Sequence, residues 1–457
     1  MRARVKRLAA ALALFDSPRA LPVALAVGVA LRIPALWALA SHPLVGDAVG
    51  YVYMAQRLLG GESFEPYYPP GASFLLVPAL AAFGDSELVA RAAMIPVYLA
   101  ASLLLWAQTR ALGGVRAANL AAAAFALYPT SIFLSVEPLT SMPSAACLVA
   151  IAWLAPSVAT RPRLGAALAL GLATGELALI RPSALPFVLL VPLYLALRGA
   201  GVRAAGVTFA VGALAVAGWL VHARAMTGRF VAVNDANSLN LFIGNNQYTP
   251  LYKTWWFGSH GAGDADVPAG YTAKEREIAA LPPAERERRY RDEALAYIAA
   301  RPDLFLLRTA NRIRAYLALD SATAAWLRLY GLAGVFGALA TMAAEALFYL
   351  AFLSGAVLAC LAPPAERLAR ERQWVALGAS LVYAAPYFVA FSHPTYHFTV
   401  VPLLLSLAAC FVTRVASDSP DASLARLWST RRAWLVAVFA ALALIQLEWL
   451  AMNAGRL

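Results

Sequence analysis

Charge is scarce in this 457-residue chain. Asp, Glu, Lys and Arg make up 14% of it, against about 25% in a soluble domain, and mean hydropathy is +0.66. That shortage excludes a cytosolic globular fold. Cysteine is scarce too. Cys147, Cys360 and Cys410 are far apart, each in an apolar run, so there is no disulfide framework and no Cys/His metal spacing. The P-loop, the dinucleotide-binding glycine fingerprint, HExxH and GxSxG are also missing, which removes support for ATP coupling.

What is present is apolar. Hydrophobic residues make up 61%, and a spanning helix needs about 20 of them in a row. Eleven stretches qualify: 20–40, 87–110, 115–134, 138–157, 164–180, 183–198, 203–225, 336–361, 374–391, 394–413 and 433–451. The basic start Arg2–Arg7 precedes a short run, Leu8–Phe15, and then Asp16-Ser17-Pro18, which reads as an uncleaved anchor rather than a signal peptide.

The stretch 71–83 is apolar but short, and charge decides its fate. If it does not cross, the N-terminus, Arg110/Arg116, Arg161/Arg163, Arg198/Arg203, Arg367/Arg370/Arg372 and Arg414/Arg426/Arg431/Arg432 all share one side. The positive-inside rule favours that arrangement. It makes 71–83 a half-embedded outer helix, places the N-terminus in the cytoplasm and leaves the C-terminus outside. The net charge of +12 then reflects orientation in the bilayer, and no nucleic acid partner is expected.

The fold class expected is an all-α polytopic membrane protein. Residues 1–225 form an N-terminal transmembrane core with a first outer loop, 41–86. Residues 226–335 form an outer, mostly helical loop domain, and 336–457 the last transmembrane helices. Within the loop domain Thr272-Ala-Lys-Glu275 reads as a capping box that starts a helix, ended by Pro282-Pro283. Helices follow at about 284–300 and 302–318. Phe230–Val233 and Leu239–Ile243 look β-like within a stretch of loop.

Polar and aromatic residues gather in the outer loops. His42, Asp47, Tyr51 and Tyr53 follow the first span. Asp47 suits a general base or a cation ligand, or equally the N-cap of a helix at 48–59. Glu137 stands between two spans on the same side, either as a second functional acid or in interfacial water. Arg181 ends a span, where it can meet a phosphate or snorkel. His393-Pro-Thr-Tyr396-His397 fills a late turn, where the histidines can bind phosphate, a metal or a leaving group, or make interfacial hydrogen bonds. Gly244-Asn245-Asn246-Gln247-Tyr248 with Lys253, Trp255 and Trp256 offers amides and flat rings for a sugar, or is simply an amide-rich turn.

In order, these motifs resemble the GT-C membrane glycosyltransferases, in particular the protein O-mannosyltransferase-like group and the bacterial aminoarabinose transferase of lipid A. The resemblance spans about 20–415. It is carried by the Asp47-x-x-x-Tyr51 loop, Tyr67-Tyr68-Pro69-Pro70-Gly71 leading to Phe83-Gly84, Arg91, and the Gly171-to-Arg181-Pro182 span. Gly228-Arg-Phe230 through Asn245-Asn246, Ala296 to Phe305, and the Tyr396 turn with Pro402 complete it. Departures are Ala48, where an acidic neighbour is common, His397, where Arg is common, and Pro69, where the aminoarabinose enzyme has Lys.

The resemblance implies a glycosyltransferase of the bacterial inner membrane working on its periplasmic face. The donor would be a polyprenyl-phosphate sugar and the acceptor a lipid, glycan or protein. By position Asp47 and Glu137 would be the catalytic acids, with room for a divalent metal between them. Arg181, Lys253, Tyr396, His397 and Arg91 would hold the donor phosphate. Tyr51, Tyr53, Tyr67, Tyr68, Asn245 and Asn246 would contact sugar or acceptor, and 226–335 would exclude water. The alternative is a transporter or flippase of a polyprenyl-linked glycan, which would want charges near the midplane and internal repeats. Few such charges occur, Glu176 and Glu345 being the main ones, and no repeat is visible.

The topology is testable by cysteine labelling. A cysteine in the 110–116 loop should stay unreactive to an impermeant reagent in intact cells. Labelling from outside would overturn the orientation.

Overall fold

No water reaches backbone N–H and C=O groups in a bilayer core, so an apolar chain closes its hydrogen bonds within helices. The computed structural model describes residues 2–251, 268–417 and 424–453, and contains no strand among them. The first half comprises α1 (Arg2–Leu12), α2 (Ala20–Leu39), α3 (Asp47–Gly60), α4 (Gly71–Phe83), α5 (Glu87–Ala92) and α6 (Met94–Leu127). It continues with α7 (Pro129–Leu134), α8 (Ser141–Thr160), α9 (Leu164–Ile180), α10 (Pro186–Leu197) and α11 (Val202–Thr227). Next come α12 (Asn237–Gly244), α13 (Ala269–Ala279), α14 (Pro283–Ala300), α15 (Pro302–Tyr316) and α16 (Ala322–Leu329). The chain finishes with α17 (Val335–Leu361), α18 (Arg367–Val389), a 3-10 turn at Pro394–Val400, α19 (Val401–Ala416) and α20 (Leu424–Asn453).

Among the described residues seven helical stretches are long and apolar enough to cross a membrane: Ala20–Leu39, Glu87–Leu127, Ser141–Thr160, Val202–Thr227, Val335–Leu361, Pro394–Ala416 and Arg426–Met452. The chain is of the multi-pass membrane type. Each of the eleven stretches read from the sequence coincides with helix. The loop expected at 110–116 is reduced to a break inside α6 at Gly114, whose φ of 85° suits glycine alone. Helix α4 has 13 residues, a rise of about 20 Å, short of the ~30 Å hydrocarbon core.

α8 and α19 are the most enclosed of the long helices. α8 packs against α6, α9, α10 and α18, and α19 against α6 and α17. Small residues let backbones meet, as lipid-embedded helices require. A Cβ on Gly171 in α9 would stand 2.7 Å from the Thr208 carbonyl oxygen of α11, and one on Gly175 would stand 3.0 Å from that of Gly212. The start of α4 docks equally closely on the end of α9. A Cβ on Gly71 would lie 2.7 Å from the Ile180 nitrogen and 2.8 Å from the Leu179 carbonyl carbon. That contact sets α4 against the residue preceding Arg181.

The outer segment departs from expectation in two places. The Thr272–Glu275 capping box does not start a helix. α13 begins at Ala269 behind Pro268, so Thr272 lies within the helix, whose early Tyr271 is buried with Phe242, Ile278, Tyr290 and Ala294. Of the two β-like pieces, Phe230–Val233 forms no strand and Leu239–Ile243 is helical, in α12. β-favouring side chains need a partner strand to satisfy the backbone, whereas a helix lays Phe242 on Tyr290 at 5.2 Å between ring centroids. Helices α14 and α15 fall where the charged periodicity and Pro302 put them.

Substituting Gly71 by alanine should lower the thermal midpoint of the purified protein, by the equivalent of about 1–3 kcal/mol for an overpacked contact. An unchanged midpoint would mean that α4 can lift from α9 freely.

Candidate functional site

Asp47 opens α3. The N-cap position belongs to Gly46, at φ 60° and ψ −139°, and Asp47 is the first helical residue. Its carboxylate is exposed and stands close enough to the Tyr68 phenol for its charge to act on it. Tyr68 can lie there because residue 50 is glycine: a Cβ on Gly50 would meet Tyr68 Cε2 at 2.1 Å. The rings of Tyr51 and Tyr67 flank Tyr68 at 5.1 and 5.0 Å. Burial and the Asp47 charge push the Tyr68 phenol up to about 12. Burial likewise raises Tyr51. Both phenols therefore stay protonated as donors.

The outer segment holds this tyrosine loop in place. Arg229 pairs with Glu65 at 2.6 Å and also with Asp235. The Asp235 N–H donates to the Pro66 carbonyl at 3.0 Å, and Asn234 Nδ2 to that of Tyr67 at 3.0 Å.

Arg181 leaves the end of α9 and enters a ring of phenols. Its guanidinium lies 5.7 Å from the Tyr396 ring centroid and within electrostatic reach of Tyr51, Tyr383, Tyr387 and Tyr396. Tyr396 stacks on Tyr387 at 4.6 Å, and the hydroxyls of Tyr387 and Tyr383 are 3.2 Å apart. Tyr396 also feels Asp47, so acid and cation share one aromatic wall. Arg181 keeps part of its surface accessible, yet its Nε is buried without a hydrogen-bond partner. It has no carboxylate partner among the described residues.

The Tyr396 turn is tied down from behind. Thr395 Oγ1 donates to Asp320 Oδ1 at 3.1 Å, and the Ala322 N–H donates to the same oxygen at 2.9 Å. Burial pushes Asp320 up to about 6. The loop carrying Asp320 is in turn held by α20: Gln446 accepts from the Leu319 N–H at 2.7 Å and donates to the Leu317 carbonyl at 2.9 Å, and Glu448 pairs with Arg314.

Other residues singled out from the sequence stand elsewhere. Glu137 faces Arg91 (Nη2–Oε1 3.2 Å) in a fully buried pair. Arg91 also donates to the Leu39 and His42 carbonyls at 2.7 and 2.8 Å, so its fork ties the end of α2 to the turn before α8. Burial pushes Glu137 up to about 7, against the pull of Arg91. His397 is buried, stacked on Tyr349 at 4.2 Å, with Nδ1 2.9 Å from the Tyr316 carbonyl. Asn245 and Asn246 are buried and their amides are engaged. Asn245 donates to Leu241 and Val389 carbonyls and accepts from Arg312. Asn246 donates to Phe242 and accepts from the N–H groups of Tyr248 and Thr249. Tyr53 points outward under Arg57. Lys253, Trp255 and Trp256 lie outside the described residues.

A divalent cation fits poorly. It prefers several carboxylate or carbonyl oxygens, whereas Asp47 is surrounded by phenols and Glu137 is engaged with Arg91. Among the described residues no three His, Cys, Asp or Glu side chains gather closely enough to hold a metal ion.

Sequence reasoning passed over Tyr383, Tyr387, Asp320, Arg308 and Arg312. The tyrosine pair had a signal, an i, i+4 repeat near the C-terminal end of α18. Arg312 donates to the Gly244 and Val389 carbonyls and Arg308 to those of Asn246 and Thr249; nothing in the local sequence separates them from solvated helix charges.

No protein-family model matches the chain, and no curated protein matches it. Solved structures do. The Archaeoglobus fulgidus oligosaccharyltransferase in its apo form is 15% identical over 94% of this chain and 54% of that one, with a TM-score of 0.47. The oligosaccharyltransferase AglB from the same organism, in complex with an inhibitory peptide and a dolichol-phosphate, is 17% identical over 93% and 54%, with a TM-score of 0.44. A complex of the Archaeoglobus fulgidus enzyme with Zn and sulfate is 16% identical over 93% and 52%, with a TM-score of 0.47. The chain thus spans about half the length of the structures it matches.

The Arg91 geometry yields a prediction. Arg91→Met strands two carbonyls and a buried acid, and should cost about 3–5 kcal/mol. Glu137→Gln keeps an acceptor for Arg91 but removes its counter-ion, and should cost less, about 1.5–3 kcal/mol. Thermal unfolding of both purified variants checks the order; the reverse order would make the charge of Glu137, rather than the carbonyl bonds, the holding element.

Proposed function

We propose that the chain is an integral membrane glycosyltransferase. It moves a hexosyl or pentosyl unit from a polyprenyl-phosphate donor to an acceptor at the non-cytoplasmic rim of the bacterial inner membrane. The observation that carries this reading is one wall of phenols, Tyr51, Tyr68, Tyr387 and Tyr396, that meets an exposed acid, Asp47, and a cation without an acid partner among the described residues, Arg181. The ordered sequence motifs that resemble GT-C glycosyltransferases support it independently.

The chemistry follows from the placement. A lipid-linked sugar keeps its tail among apolar helices and its phosphate at headgroup depth. Arg181 offers that phosphate a planar fork that a lysine could not match. The donor sugar then lies over the tyrosines, toward Asp47. Asp47 accepts the proton of the acceptor hydroxyl or amine as the acceptor atom bonds to the anomeric carbon. The carbon–oxygen bond to phosphate breaks, and the released polyprenyl phosphate carries the electron pair, its charge held by Arg181. Protonated Tyr51 and Tyr68 donate hydrogen bonds rather than take protons. No step is routed through a metal, and Glu137 with Arg91 supports the loop that leads to Asp47. The segment 226–335 limits water by holding the Tyr67–Tyr68 loop over the site.

Transfer from polyprenyl-phosphate sugars by purified protein, with acceptors drawn from envelope glycans, lipids and proteins, tests the reading. Asp47→Asn should abolish turnover while the protein stays folded; because Gly46 holds the cap position, a lost cap cannot explain the loss. Arg181→Ala should weaken binding of a polyprenyl-phosphate analogue about ten- to a hundredfold, the equivalent of one charge-assisted hydrogen bond at ~1.5–3 kcal/mol. Wild-type turnover in the first variant, or unchanged affinity in the second, would remove that residue from the site.

A further inference from the structure

A second site is built at the other end of α10. α10 and α18 both pack on α8, and between them runs a groove of ≈ 590 Å³, within the ~300–1,000 Å³ range of ligand pockets. Its walls are Phe187, Leu190 and Val191 on one side and Trp374, Val375 and Val382 on the other, over a floor of Ile151 and Ala155. From Phe187 to Arg198 it extends about 16 Å along α10, the length of one half of a bilayer core.

One end of the groove is polar. Arg198, Arg367, Arg370 and Glu371 line it together with Tyr194. Glu371 is already satisfied: it accepts from Arg198 Nε at 2.7 Å and Nη2 at 2.5 Å, and from the Tyr194 hydroxyl at 2.7 Å. Among the described residues Arg370 has only carbonyl partners, Pro364 at 3.0 Å and Ala365 at 2.6 Å. Arg367 is exposed and makes no hydrogen bond among the described residues. The mouth therefore carries a surplus of positive charge. Trp374, 53% exposed, and Tyr194 are the aromatic types that mark the headgroup level.

We propose that this groove binds one anionic phospholipid from the leaflet opposite the Asp47–Arg181 site. An acyl chain lies along α10 and α18, and the phosphate lies against Arg367 and Arg370. An apolar trough ended by uncompensated arginines at headgroup depth matches a single molecule that is apolar over most of its length and anionic at one end. A soluble anion would leave the trough uncovered, and a neutral lipid would leave the arginines unanswered. Because Arg181 and Arg198 stand at opposite ends of α10, the site is separate from the proposed donor position and does not depend on transfer activity.

Gly378 allows a clean test. A Cβ there meets nothing within 4 Å, so the side chain of Gly378→Leu starts into the open groove and leaves the arginines in place. Delipidated full-length protein is titrated with phosphatidylglycerol or phosphatidylcholine and bound lipid is counted by native mass spectrometry, with the thermal midpoint as a check on folding. Wild type should retain phosphatidylglycerol about tenfold better than phosphatidylcholine. The double variant Arg367→Gln/Arg370→Gln should lose that preference, and Gly378→Leu should lose the retained phosphatidylglycerol. If Gly378→Leu unfolds, Trp374→Ala replaces it as the wall variant. Equal retention of the two lipids by wild type, or undiminished phosphatidylglycerol in the folded wall variant, would overturn the proposal, the latter because surface charge alone would then collect the lipid.

Discussion

A guanidinium taken out of water must be given acceptors, and the architecture is organised around that requirement. Arg32 in α2 is buried beneath the Tyr98 ring and donates to Ser135, Ser131 and the Gly28 carbonyl. Arg91 fastens the end of α2 to the turn before α8. Arg312 fastens the loop after α12 to the end of α18. Each of these forks joins segments far apart in sequence: Arg32 reaches serine hydroxyls of α7 and the turn after it, and Arg91 and Arg312 reach carbonyls at helix ends, which no helix has used. Against this background Arg181 stands out. It is met by phenol rings instead of carbonyls, and its Nε is buried without a hydrogen-bond partner among the described residues.

Helices were legible in the sequence because their signal is local. Apolar runs, the Pro302 start and the short length of 71–83 need no knowledge of neighbours. Asp47, Arg181, Tyr68 and Tyr396 were legible as residue types unusual at a membrane rim, and the fold draws them to one wall. What could not be read was the set of partners. Glu137 and Asp47 look alike as loop acids, but one answers Arg91 and the other a tyrosine, and those partners lie 46 and 21 positions away. Asn245 and Asn246 have the composition of a sugar surface, yet the turn consumes their amides. The β-like look of Leu239–Ile243 failed for a related reason: propensity describes a side chain's preference and leaves out whether a partner strand exists.

The outer segment acts as a brace. Arg229, Asn234 and Asp235 reach back to residues 65–67, so the loop that carries Tyr67 and Tyr68 is fixed from above by residues some 165 positions later. From below it is fixed by the contact of Tyr68 with Gly50. The phenol that faces the acid is thus presented by a loop pinned on both sides, while Asp47 itself stands on the first turn of α3.

The grip of α20 on the 317–321 loop has a consequence in time. Translation makes Asp320, Thr395 and Tyr396 well before Gln446 and Glu448, so while the ribosome is still at work the loop behind the Tyr396 turn lacks two of its anchors. The aromatic wall reaches its final form only when the late helix has entered the bilayer and docked. The packing behind the Tyr396 turn is therefore completed late in biogenesis, after most of the chain has already been made.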